Sequence, residues 1–136
     1  MKTVLTFGVF DLLHIGHVLL FKKAKELSEG GQLIVAVQES DFILKYKPDT
    51  ELVIDTSTRM FMVNSIKYVD KVVTYQDVDK DIQNIDFDIF AKGPDQNHEG
   101  FKRAENWCKN HGKEVVIIPM TEGISSSLLR RIKKIE

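Results

Sequence analysis

The sequence predicts an α/β domain built on a doubly wound, parallel five-stranded sheet. Five short β-branched runs, the helically spaced segments between them, and a length of 136 residues that suits one core predict it together. Strands that alternate with helices imply a mostly parallel sheet covered on both faces. The expected organisation is a single domain over residues 1–136, without internal repeats or low-complexity segments.

The expected strands are Thr3-Val-Leu-Thr-Phe7, Leu33-Ile-Val-Ala-Val37, Lys71-Val-Val-Thr74, Asp88-Ile-Phe-Ala91 and Glu114-Val-Val-Ile-Ile118. After the first strand, His17, Leu20, Phe21, Ala24 and Leu27 fall on one helical stripe, with Lys22, Lys23, Lys25 and Glu26 elsewhere, and Gly30-Gly31 ends that helix. A second helix is expected from about Thr56 to Ser65, capped by Asp55 or Ser57, then a short one near Lys80. A longer helix runs from about Glu99 to Asn110, where Trp107 and Cys108 suit core packing, and Ser125 to Ser127 open a last one. The polar Lys92-Gly-Pro-Asp-Gln-Asn-His-Glu-Gly100 stretch reads as a long βα loop, and His98 and His111 as surface or loop residues.

Composition narrows the partners. With 19 basic and 20 acidic side chains the net charge is −1, which argues against nucleic acid and favours small molecules. The apolar runs fall far short of the ~20 residues that cross a bilayer, so no membrane association is expected. The N-terminus enters strand-like sequence without a leader pattern, and one cysteine makes no intramolecular disulfide, so a cytoplasmic protein is expected.

In a parallel sheet of this kind, ligands sit beyond the C-terminal strand ends, where the strand order reverses. The loops after the first and last strands are therefore where chemistry is expected. Neither G-x-G-x-x-G nor G-x-x-x-x-G-K-[ST] occurs. The first turn instead reads Phe7-Gly-Val-Phe-Asp-Leu-Leu-His-Ile-Gly-His17, with His14 and His17 where loop meets helix. Imidazoles and unpaired N–H groups at a helix N-terminus favour an anion, and Gly16 lets backbone approach it. Such a pair also serves as a helix cap or packs beneath the sheet edge, whereas a zinc site lacks a third ligand. The last turn, Pro119-Met-Thr-Glu-Gly-Ile-Ser-Ser-Ser127, brings hydroxyls to another helix N-terminus, either as an N-cap or as a second anion cradle. A triphosphate fits between two such neighbouring turns.

His14-Ile-Gly-His17 after Gly8-Val-Phe-Asp11, with Thr121-Glu-Gly-Ile-Ser125 near the C-terminus, resembles the H-x-G-H nucleotidyltransferases, and most closely the small bacterial glycerol-3-phosphate cytidylyltransferases. Lys45, Lys47, Arg59, Lys67-Tyr-Val-Asp70 and Asp95 occur in that family's order between the end motifs. The resemblance implies a Rossmann-like fold and transfer of CMP from CTP to a phosphate monoester, giving pyrophosphate and a CDP-alcohol, a precursor for cell-wall or capsule polymers. Such an acceptor is already an anionic nucleophile, so no general base is needed. By resemblance, His14, His17 and Lys47 are catalytic. Gly8, Val9, Phe10, Asp11, Gly16, Lys67 and the stretch Met120, Thr121, Glu122, Gly123, Ile124, Ser125, Ser126 and Ser127 bind the nucleotide. Lys45, Lys80 and Asp95 face the acceptor. Mg²⁺ is expected as cofactor, held mainly by the nucleotide phosphates with Asp11 as a helper, and a homodimer is the usual assembly.

Three positions depart from the cytidylyl pattern: Met120 and Lys67 stand where it has arginine, and Val9 where it has threonine. Val9, Lys92-Gly93, Asp95 and Met120 also resemble adenylyltransferase domains of heptose-phosphate enzymes, which use ATP and a sugar 1-phosphate. The intact Thr121-Glu-Gly-Ile-Ser125 and Lys67-Tyr-Val-Asp70 favour CTP. A third reading, from a different class, is a degenerate nucleotide-binding module that has lost turnover with its arginine. Arg59 and Arg130 are the candidates to replace the missing cation.

Overall fold

The structure, a computed structural model, describes residues 1–46 and 54–119, and of Lys45 and Tyr46 the backbone only. Along the chain run β1 (Thr3–Gly8), α1 (Ile15–Leu27), β2 (Gln32–Gln38), α2 (Ser40–Tyr46), α3 (Thr56–Asn64), β3 (Lys71–Tyr75), α4 (Val78–Asp81), a 3₁₀ turn (Ile82–Asn84), β4 (Ile89–Lys92), α5 (Glu99–Asn110) and β5 (Glu114–Ile117). The expected last helix lies outside the described residues.

All five strands are parallel, in the order β3-β2-β1-β4-β5. The chain winds outward from the central β1 in one direction, then crosses back and winds outward in the other, so the order reverses between β1 and β4. Alternation along β1 sorts the core into two layers. Val4 joins Phe21 and Ala24 of α1 and Val63 of α3 on one face, while Leu5 and Phe7 join Val78, Phe101, Ala104 and Cys108 under α4 and α5. Trp107 packs against this second layer, as expected of it, and His111 stacks on Trp107 at 4.3 Å between centroids.

Local chemistry sets the element ends. Asp55 rather than Ser57 caps α3, accepting from Thr58 N at 2.8 Å, and His98 caps α5 by accepting from Gly100 N. At the far end of α1, Lys25 Nζ donates to Gly31 O and to Asp70 Oδ2, each at 2.7 Å, and the same carboxylate oxygen accepts from Leu33 N. Gly31 itself admits no side chain, because a Cβ there would lie 1.9 Å from Lys2 O. These contacts fix the N-terminal ends of β2 and β3 against α1 and leave the opposite, C-terminal edge of the sheet to the loops. Among the described residues, no helix is long and apolar enough to cross a membrane.

Candidate active site

The turn from β1 into α1 is pinned from three sides. Phe10 has φ +54°, in the left-handed region that a bulky residue enters only under constraint. Its buried ring packs edge-on to Phe21 and to His17, at 5.2 and 5.4 Å between centroids. Gly8 makes room for that ring, since a Cβ on it would lie 2.5 Å from Phe10 Cζ. Asp11 is buried, and its Oδ1 accepts from Ile54 N at 2.8 Å. From α3, the fully buried Arg59 donates through Nη1 to Val9 O at 2.7 Å.

His14 and His17 form the cap of α1 between them. His14 Nδ1 accepts from Gly16 N at 3.0 Å, and His17 Nδ1 accepts from His14 N at 3.3 Å, a reciprocal capping box made of imidazoles. The rings stack with centroids 3.9 Å apart. Two consequences follow. First, with both Nδ1 atoms accepting, each neutral ring carries its proton on Nε2, so both present a donor. Second, the first-turn N–H groups that the sequence offers to an anion are partly committed: Gly16 N to His14 Nδ1, and His17 N and Val18 N to His14 O. What this turn offers a ligand is therefore the two Nε2–H groups and the helix dipole more than open backbone donors.

Burial holds the His14 pKa below its ordinary value. His17 is pulled down to about 4, by burial first and then by repulsion from a charged His14. Both rings are therefore neutral at pH 7. The linkage has a definite sign: between about 6.5 and about 4 the unfolded chain takes up a proton on His17 that the fold refuses. Stability is full above pH 6.5 and falls as the pH drops towards 4, by a few kcal/mol at about 1.4 kcal/mol per unit. Urea unfolding at pH 7 and pH 4.5 measures this, and His17→Gln should shrink the difference; an equal drop in wild type and variant contradicts the assignment.

The remaining candidates divide. Asp95 lies exposed in the loop after β4, across the reversal point from β1. Lys45 belongs to α2, a helix absent from the sequence expectation. Lys47, Met120, Thr121, Glu122, Gly123, Ile124, Ser125, Ser126, Ser127 and Arg130 lie outside the described residues. One expectation is corrected. Arg59 is not a spare cation for the phosphates: its guanidinium donates to Ile54 O, Val9 O, Ser40 Oγ and Thr56 Oγ1, and none of it is exposed. Burial lowers its pKa, while Asp11 and Asp55 act in the opposite sense. Lys67 lies in the α3–β3 turn, at the Lys25 end of α1, roughly 15–20 Å along the helix from the His14 end at 1.5 Å per residue. Lys80 is exposed beside Asp77 on α4, under the sheet face away from α1. Sequence reasoning passed over Gln96, whose side chain ties the β4 loop to β1.

A parallel sheet reversing at β1/β4, with an imidazole-capped helix at the reversal, is the frame of a nucleotidyltransferase, and residues 5–132 match the Cytidylyltransferase-like family model. The chain belongs to that family. It is 35% identical over 135 residues to glycerol-3-phosphate cytidylyltransferase of Staphylococcus aureus (strain NCTC 8325 / PS 47), covering 96% of this chain and 94% of that one. An FAD synthase of Aciduliprofundum boonei is 34% identical, with 94% and 84% covered. Among solved structures, the lipopolysaccharide core biosynthesis protein of Thermoplasma volcanium GSS1 superposes with a TM-score of 0.70 at 25% identity, over 89% of this chain and 97% of that one.

Proposed function

We propose that the protein transfers CMP from CTP to glycerol 3-phosphate, releasing pyrophosphate and forming CDP-glycerol. The end-to-end similarity to glycerol-3-phosphate cytidylyltransferase carries this reading. An acceptor phosphate oxygen attacks the α-phosphorus in line, the bond to the pyrophosphate oxygen breaks, and the chain supplies position and charge stabilisation. His14 and His17 donate from Nε2 to triphosphate oxygens as negative charge builds towards pyrophosphate. The backbone of Gly8, Val9 and Phe10 walls the nucleotide, Lys47 and the stretch Met120 to Ser127 complete the phosphate cradle, and Lys45 and Asp95 face the acceptor.

Among the described residues no three His, Cys, Asp or Glu side chains gather as a metal site, and Asp11 Oδ1 is engaged by Ile54 N. In this reading Mg²⁺ is held mainly by the phosphates of CTP, with Asp11 as a helper. The same proposal has the protein acting in the cytoplasm as a homodimer, on small molecules and not on nucleic acid or membrane, and supplying a cell-wall or capsule precursor. The relatedness to FAD synthase gives adenylyl transfer a place in the test.

Pyrophosphate release should be measured with CTP or ATP, each paired with glycerol 3-phosphate, other polyol and amino-alcohol phosphates, and sugar 1-phosphates. The expected result is release with CTP and glycerol 3-phosphate above all other pairs. Turnover with ATP alone refutes it, and nucleotide binding without turnover by any pair points to a binding module.

A further inference from the structure

The edges of β1 differ. Its pairing with β2 continues to Gly8, opposite Val37, but its pairing with β4 stops at Leu5, opposite Phe90, although β4 runs on to Lys92. The two strands part where the order reverses, and the side chain of Gln96 bridges them. Its Nε2 donates to Phe7 O at 2.8 Å, and its Oε1 accepts from Gly93 N at 3.2 Å, so one amide stands in for the missing rung. The bridge is anchored from below. Lys92 Nζ, almost fully buried, donates to Gln96 O at 3.2 Å and pairs with Glu105 of α5 at 3.0 Å. Phe7 leads directly into Gly8, Val9 and Phe10, the loop that ends at His14. A shift of the Phe7 carbonyl is therefore transmitted to the β1 side of the crevice and a shift of Gly93 to the β4 side.

We propose that Gln96 is a positioning residue for the nucleotide, its amide setting the separation of the two βα loops between which CTP lies. The proposal rests on the cytidylyltransferase reading. The effect falls on CTP more than on the acceptor, because the amide joins the β1 and β4 loops, whereas Lys45 of α2 follows β2 and Asp95 takes no part in the two bonds of the bridge.

Two variants divide the bridge. Gln96→Leu removes both bonds at similar volume. Gln96→Glu keeps an acceptor for Gly93 N and turns a carboxylate oxygen on the Phe7 carbonyl. Loss of one or two neutral hydrogen bonds predicts a rise of about 3- to 10-fold in KM and Kd for CTP, with Glu at least as affected as Leu. KM for glycerol 3-phosphate should stay within about twofold, while the melting temperature falls by the few degrees that two lost internal hydrogen bonds cost. Unchanged CTP affinity in both variants overturns the proposal. So do parallel changes in both KM values, which mark general loosening. Direct nucleotide binding keeps the two readings apart: if the wild type binds CTP without turnover, the functional reading fails while the variants still report on the bridge. A wild type that binds no nucleotide overturns both.

Discussion

Alanine at His14 or His17 should lower kcat by about 10²–10³-fold, the cost of removing one preorganised donor from developing charge. Each imidazole also caps α1 through Nδ1, so the alanine variants lose stability as well, by about 1 kcal/mol for a lost cap. His14→Asn separates the two roles. Asparagine is a good N-cap and accepts from the first turn, but places no donor where Nε2 stood. Its melting temperature should remain near wild type while its turnover falls as far as that of His14→Ala. Steady-state pyrophosphate release and thermal unfolding on the same samples decide the matter. Full activity in His14→Asn would show that the ring serves the helix alone.

Arg59→Leu should cost about 3–5 kcal/mol of folding stability, the usual result of removing one partner from a buried charged network. Four hydrogen bonds disappear at once, and the carbonyls of Ile54 and Val9 are left facing an apolar side chain. Nothing exposed is lost, because Arg59 has no accessible surface. Arg59→Lys keeps the charge but not the planar fork, and should recover only part of the difference. Urea midpoints measure both, and a loss below about 1 kcal/mol for Arg59→Leu would contradict the tie that the geometry describes. CTP affinity should fall with stability here if the loop that Arg59 holds at Val9 O lines the nucleotide as proposed.

Much of the fold is legible in the sequence, since periodicity is a local signal. The stripe from His17 to Leu27 and the helix at Glu99 to Asn110 form where the spacing puts them. α2 is not legible that way. Ser40-Asp-Phe-Ile-Leu follows β2 with no helical period to distinguish it, and its start is fixed by a contact across 16 residues, Ser40 N to Thr56 Oγ1. The histidine pair stands out by residue type at the loop–helix junction, but its use of Nδ1 for capping depends on ring placement. Arg59 misleads for a related reason: a cation between the family motifs suggests a ligand, and only its position four residues before the buried Val63 marks the inner face of α3. Gln96 carries no motif at all. Its importance comes from the early end of the β1–β4 ladder, which no local pattern records.

The strand order also sets a schedule for biosynthesis. β1, β2 and β3, with α1, α2 and α3, occupy the first 75 residues, and their contacts close among themselves. The second edge of β1 pairs only with Ile89 and Phe90, some 85 residues later. At about 5–20 residues per second, a ribosome leaves that apolar edge unpaired for roughly 4–17 seconds. During that interval the half-sheet presents an open central strand to any other strand nearby. The turn after β1 is therefore synthesised some 85 residues ahead of the β4 loop that faces it across the reversal in strand order.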